Sequence, residues 1–224
     1  TYTFNHLGNE EVIQNILEHP YEGNIYEIYS THSLNPLTIT GEHPVLCLSG
    51  QKKGTNYDHI KKRLDHNHLQ FTYKEVNELT CDDMLVFSIP QYIKDQPNLT
   101  SEDCYFYGIV LGDGSMSNTD KNGYISLHTY NKRNILEFCE QYFTNKCVQY
   151  FTDVNDNTTR IRWNKNISIP IRYSDVYDEQ KEKYIQSKWL NLPLHKMKYI
   201  IKGLIDTDGC KHNELTFDTT SQKL

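Results

Sequence analysis

The sequence predicts two folds in series: an all-β segment over roughly the first hundred residues, then an α+β segment. Three observations predict this. Residues 25–48 and 71–90 hold short runs rich in Ile, Tyr, Thr, Val and Leu, broken by turn residues, as strands are. Beyond Ser101, apolar runs of helical and strand character alternate. Between the two, residues 91–101 are polar and carry Pro97, the composition of a boundary.

Taken in order, Val12, Ile13, Ile16 and Leu17 recur at helical spacing and predict a short helix ended by Pro20. Strands are expected at 25–29, 37–40 and 45–48, with a turn at Asn35-Pro36. Residues 51–70 are polar and read as an exposed loop or short helix, and 84–89 as a strand ended by Pro90. In the second segment helices are expected at 102–112, 132–143, 178–190 and 196–207. Strands are expected at 123–130, 147–152 and 159–163, with a further one opening at 215–220.

A chain of 224 residues accommodates one large domain or two small ones. At 37% apolar it can still build cores, and no apolar run reaches the roughly 18 residues of a membrane span. No basic-plus-apolar signal segment opens the sequence. The six cysteines form no CxxC pair, so reduced core residues of an intracellular protein are expected rather than a zinc site or disulfide frame. Residues 1–99 carry 7 Lys and Arg against 13 Asp and Glu, whereas 100–224 carry 16 of each. That balance counts against nucleic acid, although a local basic face can suffice.

The most informative stretch is Ile200-Ile201-Lys202-Gly203-Leu204-Ile205-Asp206-Thr207-Asp208-Gly209. A degenerate copy, Phe106-Tyr107-Gly108-Ile109-Val110-Leu111-Gly112-Asp113-Gly114, stands upstream of it. Both read as apolar helices stopped at Asp-Gly. A terminal Gly is an expected stop, but an Asp there opposes the partial negative charge of a helix C-terminus. The same rule broken twice points to function. Gly108 and Gly112 share a helical face, as do Gly203 and Thr207, so the two helices can meet backbone to backbone. Asp113 and Asp208 then come together at one end, where a shared cation relieves their repulsion.

This paired motif resembles that of LAGLIDADG homing endonucleases. Lys202 replaces the motif's Ala, and Leu111 replaces an Asp that is not the metal ligand. The resemblance implies αββαββ repeats forming a saddle over double-stranded DNA, the first over about 102–195 and the second beginning near 196. It implies Asp113 and Asp208 as catalytic metal ligands for Mg²⁺ (or Mn²⁺), and a monomeric pseudo-dimer when both repeats are complete. The DNA-facing rows would be Arg160 and Arg162 on one strand and Ser126, His128 and Tyr130 on another, with Lys165 near the scissile phosphate; a solvated sheet face would show the same alternation. The second copy is followed by only a short remainder, so the chain is expected to be cut inside its second repeat.

The first hundred residues carry a second resemblance. Tyr21-Glu22-Gly23-Asn24-Ile25-Tyr26-Glu27-Ile28, then Thr40-Gly41-Glu42-His43-Pro44, and the later stretch 71–86 resemble the Hint-like splicing domain of inteins. Alone, Thr40 and His43 read first as residues of a turn between strands, satisfying loop backbone groups. The intein likeness implies that they assist the first acyl shift at the N-terminal splice junction. Domains at 1–95 (partial splicing domain) and 96–224 (endonuclease) follow, with flanking host-protein segments and duplex DNA as partners. Thr1 does not sit in a splice-junction motif, and His212-Asn213 falls in the second endonuclease repeat, so both junctions are expected outside this chain. A free-standing endonuclease or RNA maturase, or a DNA-binding module with a decayed site, are the alternatives.

Overall fold

The computed structural model describes residues 2–31, 35–51, 54–92, 94–120, 122–164, 168–210, 216, 217, 219 and 221. The chain divides into two compact units, Thr1–Pro90 and Gln91–Leu224. No described helix is long and apolar enough to cross a membrane.

The first unit is built from small antiparallel sheets. Strands β1 (Tyr2–Phe4) and β2 (Glu10–Val12) form a hairpin, and β3 (Ile25–Ile28) pairs with β4 (Leu37–Thr40). Strand β5 (Pro44–Leu48) is flanked by β6 (Thr72–Glu75) and β7 (Met84–Leu85), with helix α1 (Tyr57–Asp65) in the intervening connection. Asn56 caps α1 by accepting from the Asp58 N–H. Among the described residues of this unit, few apolar side chains are buried: Cys47, Leu48, Ile60 and Val76. Asp83 is enclosed as well. It accepts from the Lys74 ammonium at 3.0 Å and from the Thr80 N–H at 2.8 Å. Burial alone would raise its carboxyl, but the Thr80 N–H and Lys74 outweigh that and hold it at about 2.

The helix expected around 12–17 does not form. Val12 ends a hairpin strand, and Ile16 and Leu17 are 79% and 78% exposed in irregular chain. Eight residues ahead of Pro20, with no apolar surface to pack on, cannot offset the cost of helix nucleation. The strand expected at 84–89 is only two residues long.

The second unit runs α2 (Ser101–Asp113), β8 (Gly114–Met116), β9 (Asn122–His128), α3 (Arg133–Asn145), β10 (Tyr150–Asn155), β11 (Thr158–Asn164). Two short helices, α4 (Tyr173–Val176) and α5 (Ser187–Leu190), lead to α6 (Leu194–Asp208), then β12 (Gly209–Cys210) and β13 (Thr216–Phe217). One antiparallel sheet has the order β10-β11-β9-β8. Period-2 alternation sorts its faces. Ile125, Leu127, Ile161 and Trp163 point into the core, and Tyr124, Arg160 and Arg162 point to solvent. Helix α3 buries Ile135, Leu136, Cys139, Tyr142 and Phe143, one amphipathic stripe. Phe106 of α2 stacks on Tyr142 at 4.4 Å and meets Phe143 and Trp163 edge-on, so helices and sheet share one core.

Helix α2 begins in a reciprocal capping box between Thr100 and Asp103. Asp103 is fully enclosed and also takes the Tyr142 hydroxyl at 2.6 Å and the Lys146 ammonium at 2.7 Å, fastening α3 to α2. Cys47, Cys104 and Cys139 are buried, whereas Cys81 and Cys147 are exposed. Burial pushes the Cys104 thiol up to about 11.

A continuous helix over 178–190 is absent. Lys181 takes a positive φ of 65°, the Asp178 N–H donates to the Glu182 carbonyl, and Tyr177 bridges Lys183 as an isolated β-pair. Glu, Lys and Gln favour helix locally, but tertiary packing overrides that weak preference. The turn matters because it carries Lys183.

Candidate active site

Helices α2 and α6 lie against each other along their small residues. A Cβ added at Gly108 would come within 2.9 Å of the Gly203 Cα, and one at Gly203 within 2.8 Å of the Ile109 backbone N. At Gly112 it would strike the Thr207 side chain, with Cβ at 2.8 Å. Only glycine permits this backbone approach. Across the same seam the Tyr105 hydroxyl donates to Asp206 at 2.7 Å, and Lys202 pairs with Asp206 one turn away.

The seam ends where both helices end, at Asp113 and Asp208. Gly114 and Gly209, which follow them, are extended, with φ of −97° and −82°. Glycine is required there for space rather than for left-handed geometry. A Cβ on Gly114 would lie 2.7 Å from the Val110 carbonyl, and one on Gly209 would lie 2.7 Å from the Ile205 Cα. The chain therefore turns sharply from helix into strand and leaves each acid at the rim.

Asp208 reaches over the last turn of α2, its Oδ2 lying 3.3 Å from where a Gly112 Cβ would sit. Partial burial raises its carboxyl above the ordinary range, and the Asp113 charge raises it further. Lys132 and Lys183 oppose both effects. Lys132 Nζ stands 2.6 Å from Asp113 Oδ2 and donates to the Thr207 carbonyl at 2.5 Å. Lys183 Nζ donates to the Leu111 and Gly112 carbonyls, each at 2.7 Å. Desolvation lowers the Lys183 ammonium, while Asp208 and Asp113 hold it up. Each helix C-terminus, unfavourable for the acid it carries, thus receives a lysine from elsewhere in the unit.

Among the described residues, no group of three or more His, Cys, Asp or Glu side chains forms a ready-made metal cage. What the site offers is two carboxylates and helix-end carbonyls, all hard oxygens. That donor set suits Mg²⁺, which takes one or two carboxylates and completes its shell with water and substrate phosphate.

The solvent face of the sheet adjoins this end, because β8 leaves directly from Asp113 and Ser115 pairs with Tyr124. On that face Arg160 stands opposite Ser126, donates to its hydroxyl at 2.9 Å, and stacks over the Tyr124 ring at 4.9 Å. Arg162 stands opposite Tyr124 and Phe151 and pairs loosely with Asp153 at 3.5 Å. Ser126, Arg160 and Arg162 therefore share one face. His128 ends β9, and its Nδ1 accepts from the Tyr130 and Asn131 N–H groups. Tyr130 lies in the following turn rather than in the strand, and is 72% exposed. Lys165, His212 and Asn213 fall outside the described residues.

In the first unit Thr40 closes β4 and His43 precedes β5, joined by a tight turn in which the His43 N–H donates to the Thr40 carbonyl at 3.3 Å. The His43 and Gly41 carbonyls accept from Val76 and Asn77, which pins the turn. The His43 side chain is exposed.

Sequence reasoning missed Lys132 and Lys183. Lys132 carries no signal beyond opening a helix, and Lys183 lies in a charged run expected to be helix. Comparison of the sequence with protein-family models and with curated proteins finds no match.

Proposed function

We propose that this chain belongs to an intein carrying a LAGLIDADG-type homing endonuclease, and that its second unit hydrolyses phosphodiester bonds of duplex DNA with Mg²⁺ or Mn²⁺. One observation carries the reading: two acids far apart in sequence stand at one end of a glycine-lined helix seam, beside a sheet face bearing arginines and aromatics. The α-β-β-α-β-β element order of the unit supports it.

Asp113 and Asp208 would hold the divalent ion, which would supply activation of water and neutralisation of the leaving oxygen. Lys183, anchored on the α2 carbonyls, places positive charge beside the phosphodiester. Arg160 and Arg162 contact the duplex from the sheet face, with Tyr124 and Ser126 holding Arg160 flat for groove contact. In the first unit, Thr40 and His43 act at the N-terminal splice junction. The pinned turn keeps both on one loop, with the imidazole free to address a scissile amide.

The test is incubation of the chain with a randomised duplex library in Mg²⁺, Mn²⁺ or EDTA, followed by sequencing of the cut ends. Metal-dependent cuts at a defined sequence, lost in Asp113→Asn and Asp208→Asn, support the proposal. Cleavage equal in both variants and the wild type refutes it. The Lys132–Asp113 ion pair favours one other reading, a DNA-binding module whose acids are neutralised internally. Such a module would retain duplexes in a mobility shift and cut none in any metal.

A further inference from the structure

Lys132 does two things at once. It neutralises Asp113 at 2.6 Å, and it ties that acid to the end of α6 through the Thr207 carbonyl at 2.5 Å. Its side chain is 25% exposed, half-sunk between the helix ends rather than waving at the surface. Its backbone is fixed as well, since its N–H donates to the His128 carbonyl at the end of β9, and its own carbonyl accepts from Ile135 and Leu136 at the start of α3. The ammonium is thus delivered to this spot by the junction of sheet and helix. The groups around it are Asp113, Asp208 and the Thr207 carbonyl, with Lys183 on the neighbouring carbonyls as the other cation.

We propose that Lys132 is a resident counter-cation that competes with the divalent ion for Asp113, so that metal binding requires its ammonium to let go of the carboxylate. This rests on the metal-site reading above and adds to it. An ammonium and a divalent ion on one carboxylate stand a few ångströms apart and repel, so the two compete for Asp113. Lys132 therefore keeps the helix seam electrically satisfied before metal arrives and lowers the affinity for metal in doing so. Lys183 does not share this role, because its ammonium donates to the Leu111 and Gly112 carbonyls rather than to either carboxylate.

The experiment is Mn²⁺ titration of the whole chain without DNA, followed by electron paramagnetic resonance, with Mg²⁺ checked by calorimetry. Lys132→Gln is expected to bind Mn²⁺ about ten-fold tighter than wild type, since a positive charge next to the ion is gone. Lys132→Arg, which keeps that charge, should bind no tighter than wild type. A merely structural lysine would not tighten metal binding when removed. Independently of any variant, Mn²⁺ should raise acetylation of the Lys132 ε-amine in the wild-type chain several-fold, read by mass spectrometry. Unchanged Mn²⁺ affinity in a folded Lys132→Gln chain overturns the proposal, as does unchanged labelling. If wild-type binding is lost in Asp113→Asn while Lys132→Gln is unaltered, only the competition fails. If the wild-type chain binds no Mn²⁺ at all, the metal-site reading fails and the competition with it.

Discussion

Replacing Gly108 with Ala is the most exacting test of the helix seam. The new methyl would lie 2.9 Å from the Gly203 Cα and closer still to the Ile200 carbonyl, both backbone atoms that cannot rotate away. Ordinary contact needs about 3.5 Å, so the helices must part by at least about half an ångström. Ile109, Ile200 and Leu204, buried in the same core, would lose part of their packing. Overpacking of this kind costs about 1–3 kcal/mol and occasionally more. Better helix propensity returns about 1 kcal/mol. The net expectation is about 1 kcal/mol of destabilisation, or a fall in Tm of roughly 3–5 °C for a unit of this size. Calorimetric melting of the chain measures it. A companion set sharpens the result. Gly112→Ala strikes Thr207 and should destabilise similarly, and adding Thr207→Ala should recover part of the loss, a coupling of about 1 kcal/mol. A Gly108→Ala chain melting at or above the wild-type temperature would refute the close seam.

Three further outcomes follow from the charges. Asp208→Asn should raise Tm at neutral pH without metal, because the folded state lifts that carboxyl above its ordinary value through burial and the Asp113 charge. The sign is that the folded form holds its proton longer, so stability is present at low pH and falls as pH rises through the shifted value; a variant that melts lower would contradict this. Asp83 behaves oppositely. Held at about 2 against an ordinary 3.8, it stabilises the first unit by about 2 kcal/mol above pH 4, and that is lost as pH falls toward 2. Lys74→Met should weaken the unit and flatten its acid limb in pH-dependent melts. Asp103→Asn, which leaves Lys146 without its enclosed partner and weakens the α2 cap, should cost about 3 kcal/mol and be seen as a lowered denaturant midpoint.

The helix seam was the legible part of the molecule, because glycine spacing and the Asp-Gly stops are local signals with few causes. The face assignment of Arg160 and Arg162 was equally readable, since strand alternation is strict. Tyr130 was misplaced by the same rule: its alternation with Ser126 and His128 continues on paper, but His128 turns the chain by accepting the next N–H groups. The helix expected over 178–190 failed because its residues favour helix without a stripe of apolar positions to pack. The turn that replaced it depends on Lys181 in a positive-φ conformation that its residue type does not announce. For that reason the two lysines at the helix ends could not be found in advance. Their place is set by tertiary contacts, with no motif spacing to mark them. Gly114 and Gly209 were read as stops, which they are, but through steric clearance over Val110 and Ile205.

The central claim is that Asp113 and Asp208 act as one site. Mn²⁺ binding to the wild-type chain, compared with Asp113→Asn, Asp208→Asn and the double variant, tests it most directly. Each single variant should lose nearly all the affinity and the double variant little more, as a shared ion requires. Wild-type affinity in either single variant, or losses that simply add, would contradict it.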